Sequence, residues 1–97
     1  MAAYMVALTD TYDPGWIEEY LAAVPAIFAR YGGEYIANGG APELLEGIMD
    51  VPDTVTVSRF PSLEAIRAFM QSEEYRPYAE LRKSGSTFRI LAFESDR

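Results

Sequence analysis

Four sites in this chain place polar side chains where they could do chemistry. Asn38-Gly39-Gly40 follows a strand-like stretch. Two glycines let backbone amides come close to a ligand and form a nest for an anion. The same tripeptide reads as a hairpin turn, the commoner use of Asn-Gly. Arg59 shares a strand face with Val55 and Val57. An arginine buried there without a partner is costly, so it is a carboxylate anchor, a partner of Glu46 or Asp10, or an edge charge reaching water. Glu46, beside aromatics, would have a raised pKa and act as a general acid or base; across an interface it would pair with a cation instead. Arg82 with Ser84 and Ser86 has the spacing to hold an anion, and also that of a last-turn cation favouring a helix C-terminus.

A fifth group is aromatic: Tyr4, Tyr12, Trp16, Tyr20, Tyr31, Tyr35, Tyr75 and Tyr78. Such a set lines a pocket for a planar ligand, with tyrosine hydroxyls holding its oxygens, or else it packs a core or an interface. Helical spacing puts most of them on core stripes. Tyr4 and Tyr35 lie on strands, which would point them into a barrel.

Composition narrows the chemistry. The 97 residues contain no cysteine and no histidine. Disulfides, thiolate nucleophiles and cysteine-held metals are excluded, and so is the usual acid or base near neutral pH. Zinc and haem lose their customary ligands, and a serine nucleophile would have no imidazole to activate it. No metal and no cofactor is expected. The net charge is −7, from 8 basic and 15 acidic residues. Phosphate backbones and anionic membranes are therefore unsuitable partners. No basic leader and no apolar segment of about 20 residues is visible, so a cytoplasmic protein is expected. Hydrophobic residues make up 49% of the chain, which suits one globular domain over residues 1–97.

The elements that must position these residues follow from periodicity. Ala3–Thr9 reads as a strand. Asp13-Pro14 then opens a helix running to Tyr31, with Ile17, Tyr20, Leu21, Val24, Ile27, Phe28 and Tyr31 as its apolar stripe. Pro25 interrupts that helix and Gly32-Gly33 ends it. Strands over Glu34–Asn38 and Thr54–Phe60 flank a loop rich in glycine and proline. Ser62 and Ser72 each cap a helical piece, so Ser62–Ser84 is a broken helix, and Thr87–Glu94 is the last strand. The order β-α-β-β-α-β predicts an α+β, ferredoxin-like protomer. Its first and last strands are apolar on both faces, whereas a sheet with one wet face alternates with polar residues. A homodimer covering the second face is expected.

Ala3-Tyr4, Asp13-Pro14, Ala23-Val24-Pro25, Tyr31-Gly32-Gly33, Gly39-Gly40, Leu45-Glu46-Gly47, Phe60-Pro61-Ser62 and Glu74-Tyr75 stand in an order and spacing that resembles the DUF1330 family, within the dimeric α+β barrel superfamily. The resemblance spans essentially the whole chain. It implies two ferredoxin-like protomers with sheets packed face to face. It implies no particular reaction, since the superfamily includes cofactor-independent monooxygenases, haem-degrading enzymes, lactone isomerases and stress-responsive binding proteins. Family members often carry Arg where Asn38 stands, an aromatic residue near Ile48-Met49, and an acid where Arg59 stands.

These readings together predict a small dimeric protein that binds a small organic molecule. The alternative is a cofactor-independent monooxygenase or isomerase acting on a small aromatic or polyketide-like substrate. The expected site gathers Asn38, Glu46 and Arg59, with Tyr4 or Tyr35 as its apolar wall. If the two middle strands pair antiparallel, Asn38 and Arg59 lie at opposite ends of one sheet. A shared site then needs the dimer, or a loop that folds back.

Overall fold

The computed structural model describes residues 1–96. The chain runs β1 (Ala2–Thr11), a 3-10 turn (Pro14–Trp16), α1 (Ile17–Arg30), β2 (Glu34–Gly40), β3 (Thr54–Phe60), α2 (Leu63–Gln71), α3 (Arg76–Lys83) and β4 (Ser86–Ser95). The four strands form one sheet in the order β2-β3-β1-β4, every neighbouring pair antiparallel. This is the expected α+β, ferredoxin-like arrangement.

The helix boundaries follow their capping residues. Asp13 Oδ1 accepts a hydrogen bond from Gly15 N at 3.0 Å, satisfying a free amide of the opening turn. α1 stops where Gly32 turns to φ +78°, a conformation without steric cost for glycine, and Gly33 N donates back to Phe28 O at 2.8 Å. Ser72 divides α2 from α3. Its hydroxyl donates to Phe69 O at 2.8 Å and accepts from Tyr75 N at 3.2 Å, closing one helix and supporting the start of the next. Ser84 and Ser86 hydroxyls donate to the Leu81 and Arg82 carbonyls, so both serines close α3.

One stretch differs from its reading as a turn. Asn38-Gly39-Gly40 makes no turn; it continues β2, with Asn38 opposite Thr56 and Gly40 opposite Thr54. The ladder satisfies the backbone that a turn would otherwise have used. Residues 43–46 are neither helix nor strand.

The helices cover one face of the sheet, where Ala3, Met5, Ala7, Ser58 and Phe60 are buried. Val24, Ile27 and Phe28 of α1, Ile66 and Phe69 of α2, and Tyr75 pack onto it. On the other face Tyr4, Val6 and Leu8 lie beside Val55, Val57 and Arg59, and beside Leu91, Phe93 and Arg89. This outer face is largely apolar and open: Leu91 is 64% and Phe93 51% exposed. Among the described residues no helix is long and apolar enough to cross a membrane.

Candidate functional site

A cavity of about 180 Å³ lies between the helices and the inner face of the sheet. Side-chain size explains it. Its floor is made by short residues of the strands, Ala7, Thr9, Thr54, Thr56 and Ser58, while its walls are the rings of Trp16, Tyr20, Phe28, Tyr35, Phe69, Tyr75 and Phe88. Short side chains opposite rigid rings leave a gap that neither can close. Leu21, one turn on from Ile17 and exposed, stands at the rim.

The polar groups of this wall form a chain. Arg82 on α3 is only 7% exposed. Its guanidinium carbon lies 4.3 Å from the centre of the Phe88 ring, and its Nε donates to Tyr75 Oη at 3.0 Å. Among the described residues it makes no ion pair. Stacking on two aromatic rings and one hydrogen bond hold this cation in place. Tyr75 Oη is in turn 2.7 Å from Tyr20 Oη. Beside them, Trp16 Nε1 is buried with no hydrogen-bond partner among the described residues. A buried donor without an acceptor costs about 1–3 kcal/mol, so Trp16 is held there by its rings' contacts. Those are edge-on contacts with Tyr20, centroids 5.2 Å apart, and Phe88, 5.7 Å apart.

At the other end stand Tyr35 and Asn38. They are three residues apart and would normally face opposite ways. The register of β2 against β3 shifts between Tyr35 and Ala37, and this bulge at Ile36 returns both to the helix side. Tyr35 stacks on Phe28 at 4.5 Å. Thr56 Oγ1 donates to Asn38 Oδ1 at 2.9 Å, which leaves the Asn38 amide nitrogen as a donor.

Burial sets the ionisation of the phenols. Desolvation, reinforced by Tyr75, pushes Tyr35 up to about 12. Tyr20 is driven further up, first by desolvation and then by the adjoining Tyr75, and the nearby Arg82 offsets only a little of this. Both are neutral phenols at physiological pH. Among the residues that line the cavity there is no carboxylate. The arrangement can bind an apolar body and direct hydrogen bonds at oxygen atoms; it offers no ionised base.

The structure divides the expected site. Asn38 and Tyr35 line the cavity. Tyr4 and Arg59 lie on the outer face of the sheet, where they are opposite each other in the β1–β3 ladder. Tyr4 stacks on Phe93, centroids 5.7 Å apart. Arg59 pairs with Glu34 at 3.7 Å, while Asp10 pairs with Arg89 at 3.9 Å. Glu46 is exposed in the loop between β2 and β3. One protomer therefore does not gather Asn38 and Arg59, because alternate strand positions put them on opposite faces. Arg82 stands in the last turn of α3, as its sequence reading has it, and is in addition buried behind the cavity wall. Nothing in its spacing announces this, since Tyr75 and Phe88 come to it from different elements.

The inventory of known proteins agrees with the fold. A protein of unknown function from Rhodopseudomonas palustris superposes with a TM-score of 0.78 at 18% identity, over 99% of this chain and 83% of that one. SnoaB, a cofactor-independent oxygenase from Streptomyces nogalater, gives 0.70 at 18% identity over 99% and 94%. A dimeric ferredoxin-like protein of unknown function from Thermobifida fusca gives 0.66 at 19% identity over 98% and 92%. No curated protein matches the sequence. The profile of the family described as "Domain of unknown function (DUF1330)" matches residues 2–95, and the chain belongs to that family.

Proposed function

We propose that this protein binds a small organic molecule in the cavity between helices and sheet, and that it does so as a homodimer joined through the outer sheet face. The observation that carries the first part is the cavity itself, walled by aromatic rings and bordered by polar groups whose hydrogen-bonding capacity the chain leaves unused. A cavity of about 150 Å³ with apolar walls is enough for one benzene ring. The space here therefore suits one substituted aromatic ring or a compact equivalent. The dimer is supported by the open apolar outer face. Burying a side chain such as Leu91 or Phe93 contributes about 1.5–3 kcal/mol. The Thermobifida fusca protein of the same fold is described as dimeric. The reading includes no nucleic acid, membrane, metal or cofactor as a partner and a cytoplasmic setting, from the acidic balance and the missing metal ligands of the sequence.

Native mass spectrometry of protein purified from its own host tests this reading. The expected result is a dimer carrying one bound small molecule per protomer. A protein that stays ligand-free, and binds no member of a panel of aromatic fragments, would overturn it.

A second reading has one specific support, the shared fold with SnoaB: a cofactor-independent oxygenase whose substrate supplies the electrons. An oxygen electrode with quinols and anthrones decides between the two. Uptake that needs both the protein and the substrate supports catalysis, and its absence leaves binding alone.

A further inference from the structure

The hydrogen-bond chain behind the cavity has a direction. Arginine has donors and no acceptor. Its Nε–H therefore points at Tyr75 Oη, which must accept. Tyr75 is 1% exposed, and Tyr20 Oη is the one other polar atom hydrogen-bonded to its oxygen among the described residues. The Tyr75 proton has Tyr20 Oη as its acceptor. Tyr20 Oη thus receives a hydrogen bond from Tyr75, and its own proton finds no acceptor within the described chain. Tyr20 lines the cavity. Tyr75 lines the cavity too, but it is the more deeply buried of the two, 1% against 7% exposed, and the bond it accepts from the Arg82 cation polarises its hydroxyl toward donation. The reverse arrangement, Tyr20 donating to Tyr75, forgoes that cooperative strengthening.

We propose that Tyr20 is a committed hydrogen-bond donor into the cavity, that the ligand presents a neutral carbonyl oxygen to it, and that Arg82 is the positioning residue that sets this polarity through Tyr75. The inference rests on the cavity being a binding site. A neutral acceptor is favoured over a carboxylate because the surroundings are poorly solvated: the same desolvation that keeps Tyr20 protonated acts against a bound anion. It is favoured over an alcohol because a carbonyl only accepts. The unpartnered Trp16 Nε1–H on the same wall is a second group that can only donate. Arg82 does not touch the ligand in this scheme; it prevents the Tyr20–Tyr75 bond from inverting.

Two near-isosteric probes separate the claims: acetophenone, which carries the carbonyl, and ethylbenzene, which does not. Affinities for wild type, Tyr20→Phe, Arg82→Met and Arg82→Lys are measured by ligand-observed NMR, and the carbonyl carbon of labelled acetophenone is followed in each. In wild type both probes bind and the carbonyl resonance moves in the hydrogen-bonded direction. Tyr20→Phe should weaken acetophenone about fivefold, the worth of one net hydrogen bond, and change ethylbenzene less than about twofold. Arg82→Met should likewise lower acetophenone selectively and return the carbonyl shift part of the way, while Arg82→Lys, which keeps a cation with donors only, should restore some of both. An unchanged ratio of the two affinities in Tyr20→Phe would overturn the carbonyl assignment while leaving a binding cavity. An unchanged ratio and carbonyl shift in both Arg82 variants would overturn the positioning role. If neither probe binds wild type, the binding reading and this inference fall together.

Discussion

The Tyr75 hydroxyl serves two partners, accepting from Arg82 and joining Tyr20, and its removal is the sharpest single-atom test of the interior. Tyr75→Phe leaves the Arg82 Nε–H without an acceptor and breaks the chain. It should destabilise the protein by about 2 kcal/mol in urea unfolding, and Tyr20→Phe by about 1 kcal/mol, because only the first strands a charged donor. The two phenols also fix a pH dependence. A tyrosine whose folded pKa lies above its unfolded value of about 10 keeps the proton longer in the folded state. Its contribution is complete below about pH 10 and is lost as pH rises toward the folded pKa, about 12 for Tyr35 and higher for Tyr20. Stability should therefore be level in this respect from neutral pH to about 9 and fall above 10. Tyrosinate absorbance during the same titration should show ionisation of Tyr20, 7% exposed, coinciding with unfolding, while Tyr35, 37% exposed, ionises in the folded protein at raised pH.

At the scale of elements, the cavity wall depends on how the first turn meets the last strand. Gly85 O accepts from both Tyr12 N and Asp13 N, at 2.9 and 3.0 Å. A Cβ at Gly85 would overlap the Asp13 carbonyl and come within 2.8 Å of Trp16 Cδ1. Gly85→Ala should cost about 2–3 kcal/mol by overpacking, and should shift the tryptophan fluorescence as Trp16 is pushed from its place. An alanine variant with wild-type midpoint and emission would show that this junction is slack. The bulge in β2 matters in the same way. By two-residue alternation Tyr35 and Asn38 belong to opposite faces, and only the extra residue at Ile36 aims both at the helices.

For the whole molecule, the decisive surface is the outer sheet face. Its centre is Val6, Leu8, Val57 and Leu91, with the Arg59–Glu34 and Arg89–Asp10 pairs toward its ends. An obligate dimer of this kind buries on the order of 2,000 Å² or more in total. Light scattering should give twice the chain mass at micromolar concentration, and Leu91→Lys with Phe93→Glu should give the monomer. A wild-type monomer would remove the dimer from the proposal. Those outer residues are distant in role from the cavity, so the double variant also asks whether one protomer can bind a ligand alone.

Much of this molecule was legible in the amino-acid order. Periodicity located all four strands, and apolar residues on both strand faces marked a sheet with a second surface to cover. Ser62 placed the start of α2, while Asp13 marked the 3-10 turn ahead of α1 and Ser72 the break ahead of α3, whose own first residues are Ile17 and Arg76. These signals are local, carried by neighbours one to four positions apart. The site was less legible. Asn38 and Tyr35 were named from sequence, yet their common orientation comes from a bulge, which depends on the partner strand. Arg59 and Tyr4 were named with them and lie on the other face, since a strand's pattern shows two faces without saying which one the helices will take. Arg82, Tyr75 and Tyr20 carry no mutual spacing. They meet because α3 closes on α1 over β4, and a buried cation held by rings and one hydroxyl, or a gap left above short residues, exists only once separate elements have packed.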